Sequence, residues 1–349
     1  MKTLLLGAED LSALLNHVGR DALMDQMIDA LRARFDDHDA DVHESRARDG
    51  FRYEKPAHGL IEWMPTHEVG GPVVIKMVGY HPTNPVQRDI PSVIATTSMW
   101  DSETGHLVAI ADATLLTAIR TGAASGLATD LLAKDGPITL GIVGLGAQAI
   151  TQAHAVSRVR TIDRIIGIDT DPEVAASFPR RATFLDVAVE IAEPSRTATI
   201  AGEVDVLCTC TSAEIGAPPV IEMTDLRPWL HVNAVGADFP GKIELPKALT
   251  TAADLVVPDT LDQCMVEGEC QQLDIGAIGP ELWEVTKRAV EFRRHRAGLT
   301  VFDSTGWALE DDVALRLAVA LAEQLGLGTS IELERLPFDP HDPYSSSTP

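Results

Sequence analysis

The stretch Ile138-Thr139-Leu140-Gly141-Ile142-Val143-Gly144-Leu145-Gly146-Ala147-Gln148-Ala149 constrains this chain more than any other. A short apolar run breaks into Gly-x-Gly-x-x-Ala and continues as Ile150-Thr151-Gln152-Ala153-His154-Ala155-Val156. It reads as a buried strand, a tight glycine turn and the first turns of a helix. That geometry lets backbone approach a pyrophosphate, with helix N–H groups aimed at its charge. A glycine pattern alone is weak, so its surroundings decide. Arg164-Ile165-Ile166-Gly167-Ile168 reads as a second strand and ends in Asp169, 25 residues after Gly144. A carboxylate there accepts hydrogen bonds from an adenosine ribose. Asp169 and Asp171 would repel a 2′-phosphate, and no Arg directly follows Asp169, so the expected cofactor is NAD rather than NADP.

From residue 138 onward the pattern alternates strands and helices. Candidate strands are 138–143, 164–168, 187–191, 204–210, 230–234, 254–257 and 300–302. Alternation of this kind implies a parallel sheet with helices on both faces. The first part of the chain differs. Residues 10–35 carry one apolar stripe, Leu23, Met24, Met27, Ile28, Leu31 and Phe35, and are expected to be helical. Residues 36–58 are polar and read as a loop or as an approach to a site. Four strand-like runs follow at 60–64, 73–78, 92–97 and 107–110, separated by Pro and Gly, as in an antiparallel meander. Asp112 is placed to cap a long helix running to about Ala133, whose small residues at 122–126 allow another element to approach closely. A last amphipathic helix is expected at 311–325, and the tail Asp339 to Ser347 reads as turn-rich and extended.

The expected fold class is therefore α/β: a Rossmann-type NAD-binding domain, residues 130–311, inserted in an α+β substrate-binding and dimerisation domain made of 1–129 plus 312–349. A chain of 349 residues accommodates two such domains. Its formal net charge of -24 argues against a nucleic-acid partner, whose phosphates need a basic surface, and against anionic membranes. The apolar run after Met1 is too short for a signal peptide, and no segment has the length of a membrane helix. The four cysteines form neither a disulfide framework nor a metal-ligand spacing, so no metal and a cytoplasmic location are expected.

Five residues stand out for chemistry. Lys76 lies inside the apolar strand Val73 to Val78. Burying an unpaired ammonium is costly, so it either meets an anionic group or faces outward on a one-sided sheet. Arg120, among apolar and small residues, either grips a carboxylate through paired hydrogen bonds or makes an interhelical ion pair. Glu62, between Ile61 and Trp63, is an acid or base of raised pKa, or the partner of a core Arg. Asp238 and Asp303 both follow strand ends, where ligands bind and an Asp can hold a substrate ammonium or exchange protons with it, although the plainer reading of each is a helix cap. The histidines, His231 included, show no paired spacing and read as structural or surface residues.

With these residues in view, the chain resembles the ornithine cyclodeaminase/μ-crystallin family. The resemblance is carried by Arg120-Thr121-Gly122-Ala123-Ala124-Ser125, the glycine turn from Gly141 to Ala149, Asn233-Ala234-Val235-Gly236-Ala237-Asp238 with Gly241-Lys242 and Glu244-Leu245, and Phe302-Asp303-Ser304-Thr305-Gly306. Further segments resemble its lysine cyclodeaminases: Glu62-Trp63-Met64-Pro65, Val78-Gly79-Tyr80 with Pro82 and Asn84-Pro85, Glu267 to Leu273, and Asp342-Pro343-Tyr344. The resemblance implies that Arg48, Lys76 and Arg120 hold a substrate carboxylate, with Arg46 and Arg52 flanking Arg48. Glu62 would position or activate a water, and Asp238 would act on the side-chain amine or the leaving ammonia. Thr121, Asp303 and Ser304 would border the nicotinamide. Ser92 (often Thr in relatives), Gly144, Gly146, Ala147, Gln148, Asp169, Thr170, Thr211 and Val235 complete the implied cofactor contacts.

The implied reaction is NAD-dependent cyclisation of L-lysine to L-pipecolate and ammonia, by transient oxidation at Cα, ring closure and re-reduction with no net redox. The alternatives are L-ornithine to L-proline, a net NAD(P)H imine reductase or amino-acid dehydrogenase, and a non-catalytic binding protein. A homodimer joined through the meander is also implied.

Overall fold

The computed structural model describes residues 1–346, so Ser347 and the other two C-terminal residues lie outside the described residues. Along the chain the strands are β1 (Thr3–Leu6), β2 (His43–Ser45), β3 (Asp49–Tyr53), β4 (Gly59–Glu68), β5 (Val73–Tyr80), β6 (Val93–Trp100) and β7 (Leu107–Asp112). Then come β8 (Ile138–Val143), β9 (Ile162–Ile168), β10 (Ala188–Ala192), β11 (Val206–Thr209), β12 (His231–Ala234), β13 (Leu255–Pro258), β14 (Thr300–Asp303) and β15 (Thr329–Ile331). They form two sheets. One is mixed, with order β15-β1-β7-β6-β5-β4-β2 and β3 also paired to β4. The other has the order β10-β9-β8-β11-β12-β14-β13, and every pairing in it is parallel. Its topology reverses between β8 and β11, where a Rossmann-type sheet opens a crevice at its strand C-termini. The chain is thus α/β, with a Rossmann-type parallel sheet beside a meander-based sheet.

The part of the chain that forms the mixed sheet and its flanking helices follows the sequence pattern, with three departures. The helical stretch at 10–35 is two helices, Ala8–Val18 and Arg20–Asp36, because Gly19 takes φ +86°, a conformation that interrupts helical hydrogen bonding. Residues 36–58 are not all loop: β2 and β3 pair with β4 there, and their side chains are too polar to alternate visibly. Strands β1 and β15 lie outside the meander segments, and they pair with each other and close one edge of the mixed sheet.

A helix at Thr114–Leu132 ties the two sheets together. Asp112 accepts a hydrogen bond from its first N–H at 3.2 Å. It packs on the helix Ala147–Val159 so closely that a Cβ on Gly122 would lie 2.5 Å from the Thr151 carbonyl oxygen. The small residues at 122–126 are therefore an interface. The core beneath is formed by apolar faces of Arg20–Asp36, Thr114–Leu132 and the last long helix, Ala308–Leu325. His231, inside β12, bonds the Thr300 hydroxyl at 2.8 Å and Asn233 Oδ1 at 3.2 Å, and burial pushes its pKa down to about 3, a structural role. Among the described residues no helix is long and apolar enough to cross a membrane.

Candidate active site

A cleft of about 690 Å³ runs between the meander and the C-terminal edge of the parallel sheet. Strand periodicity builds its first wall. Leu60, Glu62 and Met64 of β4 stand opposite Tyr80, Val78 and Lys76 of β5, alternate residues on one face, and all six line the cleft. The second wall comes from loops that leave the parallel strands: Val235 and Asp238 after β12, and Ser304 to Gly306 after β14. Thr121 and Gln148 line it from the two packed helices.

At one end, cations gather on a set of carboxylates. Lys76 is fully buried, with Nζ 2.7 Å from Asp311 Oδ2. Arg120 places Nε 2.9 Å from Asp311 Oδ1 and Nη1 2.9 Å from Glu310 Oε2. Arg48 donates to the Thr305 and Gly306 carbonyls, lies 3.0 Å from Glu267 and reaches within 3.7 Å of Glu62. Of its neighbours, Arg46 is turned outward, 75% exposed beside Glu44, and Arg52 sits over the Phe239 ring at the cleft.

Burial and crowding set the protonation of this cluster. Burial and the Arg120 charge push Lys76 down to about 7, against the pull of Asp311. Burial opposes the charge on Asp311, but Arg120 and Lys76 outweigh it and hold the carboxyl below its usual value. Burial pushes Glu310 up to about 8 and Glu267 up to about 7. Glu62 is raised by burial too, partly offset by Arg48. Two of the four acids therefore hold protons readily near neutrality, which leaves the cluster able to receive an anion. At the other end Asp238 is half exposed, and its Oδ1 lies 2.9 Å from Lys242 Nζ.

The glycine turn lies where the sequence puts it and fits a dinucleotide. Gly144 has φ +90°, and a Cβ there would lie 2.8 Å from the Cys210 carbonyl oxygen, so only glycine fits. At Gly146, which precedes the helix Ala147–Val159, nothing lies within 4 Å of a Cβ, so the helix N-terminus has an open approach. Asp169 accepts from the Leu145 N–H at 2.6 Å and from the Asp171 N–H at 2.8 Å, which fixes a carboxylate with free lone pairs beside the turn. Asp171 itself caps the helix Pro172–Arg181.

Two of the implied residues, Asp303 and Ser92, are not on the cleft lining. Asp303 does not reach the cleft: its carboxyl is fully buried and accepts from the Glu269 and Cys270 N–H groups at 2.9 and 2.8 Å. Ser92 is beside the cleft rather than on its lining, which Val93 provides. Thr211 lies against the glycine turn, its Cα 3.0 Å from a Cβ placed on Gly144, and its hydroxyl and N–H donate to Glu244; Thr170 is exposed next to Asp169.

Sequence reasoning missed the carboxylates behind the cations. Glu310 and Asp311 begin a helix, where acids are ordinarily read as favourable to the helix dipole. It also missed Arg181, which reaches the Leu145 and Gly146 carbonyls at 2.5 and 3.2 Å from the far end of its helix and so buttresses the turn.

Comparison with known proteins places the chain among relatives of the same fold. The profile of the ornithine cyclodeaminase/mu-crystallin family matches residues 9–324. An L-lysine cyclodeaminase of Streptomyces rapamycinicus is 41% identical over 346 residues, covering 99% of this chain and 100% of that protein. A solved structure concerned with recognition of L-lysine, L-ornithine and L-2,4-diaminobutyric acid by lysine cyclodeaminase superposes with TM-score 0.94 at 42% identity, covering 99% of each chain. An archaeal alanine dehydrogenase dimer with bound NAD superposes with TM-score 0.83 at 28% identity, covering 96% of this chain and 100% of that one. On its sequence and its fold, the chain belongs to the ornithine cyclodeaminase/mu-crystallin family.

Proposed function

We propose that this chain is an ammonia-lyase that cyclises L-lysine to L-pipecolate and ammonia with bound NAD. The observation that carries the reading is one cleft with Arg48, Lys76 and Arg120 gathered at one end and Asp238 on its lining, beside the C-terminal edge of a Rossmann-type sheet. A diamino acid matches that arrangement, with its carboxylate on the cations and its terminal amine toward Asp238. The likeness to lysine cyclodeaminases over the full chain supports it. We take residues 130–311 as the nucleotide domain, inserted between 1–129 and the C-terminal segment.

When bound, NAD supplies reversible two-electron oxidation at the substrate Cα. Gly144, Gly146, Ala147 and Asp169 would hold it, with Gln148, Thr121, Val235 and Ser304 along its path. The residues do the rest. Arg48, Lys76 and Arg120 clamp the carboxylate and fix Cα in one place. An anion beside Lys76 favours its charged form, so substrate binding completes the clamp. Those cations disfavour positive charge developing at Cα, and the neighbouring acids Glu62 and Glu267 offset them. Glu62, with its raised pKa, is suited to hold or pass a proton through a water. Asp238 receives the terminal amine. The ring closes from that nitrogen to Cα, and the α-nitrogen leaves as ammonia.

Incubation of the purified protein with L-lysine and NAD, without added reductant, tests the reading. Ammonia and pipecolate are expected in equal amounts with no accumulation of NADH. Stoichiometric NADH would make the chain a dehydrogenase, the class of the alanine dehydrogenase relative. L-Ornithine giving L-proline is the second substrate. One methylene is worth about 1–3 kcal/mol in a pocket, so slower turnover of ornithine is expected.

A homodimer is part of the proposal. The outward face of the meander exposes Ile61, Met77 and Ile94, 41%, 40% and 45% exposed, as a contiguous apolar strip on β4, β5 and β6. Sedimentation at micromolar protein is expected to give twice the chain mass, and Ile61→Glu with Met77→Glu is expected to give monomer. A reducing, cytoplasmic location accords with four free cysteines.

A further inference from the structure

The Asp238 carboxylate creates a difficulty for the reaction proposed above. A lysine terminal amine has an ordinary pKa of about 10.4, so it is overwhelmingly an ammonium at neutral pH. A carboxylate beside it favours the charged form further. An ammonium has no lone pair and cannot attack Cα. Asp238 alone would therefore bind the substrate in its unreactive form.

The cleft holds a second cation at this point. Lys242 follows Asp238 by one turn, and its Nζ lies 2.9 Å from Asp238 Oδ1. The Lys242 side chain is only 6% exposed, while that of Asp238 is 44% exposed, so the free side of the carboxylate opens on the cleft that both residues line. Lys242 is not a mobile surface lysine. Gln271 brackets its backbone, accepting from Gly241 N–H at 2.8 Å and donating to the Lys242 carbonyl at 2.9 Å. Its Nζ lies 5.8 Å from the Tyr80 ring centroid.

The charged and titratable groups around it come from three directions. They are Asp238 on its own loop, Tyr80 from β5 and Glu244 behind it. Across the cleft, Glu62 and Glu267 feel the Asp238 charge, and Arg48 stands between those two acids. Burial works against the Lys242 charge, but Asp238, with Glu244 behind it, outweighs it, and Lys242 stays cationic. Burial raises the Tyr80 phenol, so Tyr80 remains neutral and cancels nothing.

We propose that Lys242 is a positioning residue that sets the protonation state of the substrate's terminal amine: its ammonium occupies one side of the Asp238 carboxylate and repels a second cation on the other. The proposal rests on the diamino-acid reading. On binding, the terminal ammonium releases one proton to solvent, and no electrons change hands. The neutral nitrogen then holds its lone pair toward Cα, with Asp238 accepting one of its N–H bonds.

The test compares Lys242→Met and Lys242→Arg in the NAD-loaded protein, reading kcat and KM for L-lysine against pH and the inhibition constant of L-norleucine, which has the same chain length without the terminal amine. In Lys242→Met the acid limb of the kcat profile is expected to move up by about one pH unit, the scale of a lost neighbouring charge. Turnover at pH 7 falls about tenfold in consequence and recovers at pH 10. KM for lysine does not rise, and the norleucine constant does not change. Lys242→Arg keeps the wild-type limb. NAD titration verifies folding, and Lys242→Gln replaces a Met variant that fails it. An acid limb that coincides with the wild type, or a loss of kcat equal at every pH, overturns the proposal. Absence of wild-type turnover of any diamino acid sinks the underlying reading instead, whereas normal wild-type turnover with an unmoved limb sinks only the role of Lys242.

Discussion

Asp238→Asn is expected to lower turnover of L-lysine at least about 100-fold while leaving NAD affinity unchanged, because general acid–base groups contribute about 10²–10⁴-fold. Asp238 sits past the end of β12, with its carboxylate paired to Lys242 and open to the cleft. The glycine turn and Asp169, the proposed NAD contacts, share no hydrogen bond with it. Asn preserves the shape and one acceptor but carries no charge. It cannot take a proton, and it leaves the Lys242 ammonium uncompensated beside the incoming amine. Two readings separate cleanly in a steady-state assay with a parallel NAD titration. Loss of turnover with intact NAD binding assigns Asp238 to the chemistry. Near-normal turnover would reduce it to a turn residue, the plainer meaning of an Asp after a strand.

That ambiguity shows how far the sequence is legible. Gly144 announces itself because only one residue type tolerates its backbone, and the structure gives it φ +90° against the Cys210 carbonyl. The alternation of β4 and β5 is equally plain, and it places Glu62 and Lys76 on known strands. Which face those residues share with the cleft is not written in either strand. It depends on where the helix Ala308–Leu325 lands, more than two hundred residues away. Asp303 poses the same ambiguity as Asp238. An acid at a strand end looks identical whether it faces a ligand or, as here, the backbone of Glu269 and Cys270. From sequence Arg120 reads either as a carboxylate clamp or as an interhelical ion pair. In the structure it lines the cleft and also pairs with Glu310 and Asp311, so the two readings are not exclusive.

Asp311→Asn carries the largest expected cost in stability. Asp311 is the shared counter-ion of Lys76 and Arg120, at 2.7 and 2.9 Å, and all three side chains are buried. Removing one partner of a buried ion pair leaves uncompensated charge, at about 3–5 kcal/mol. Glu310 cannot fill the gap fully, because burial pushes its own pKa up to about 8. Urea unfolding at pH 7 is expected to show a loss of that order, together with a higher KM for lysine as Lys76 gives up its proton more readily. The pH dependence has a definite sign. Arg120 and Lys76 hold the Asp311 carboxyl below its usual value, so its contribution is complete above about pH 4, the unfolded value, and is lost as pH falls through the folded one. The deficit of the variant should therefore shrink on strong acidification. A double variant makes the argument specific. Lys76→Met with Asp311→Asn removes the stranded ammonium as well as its partner, and replacement of a whole buried pair is often close to neutral. Stability is expected to recover by more than half of the single-variant loss, while turnover stays lost for want of a carboxylate clamp. If the double variant is no more stable than Asp311→Asn, the destabilisation lies with Arg120 alone. Asp311 would then serve the arginine and not the lysine.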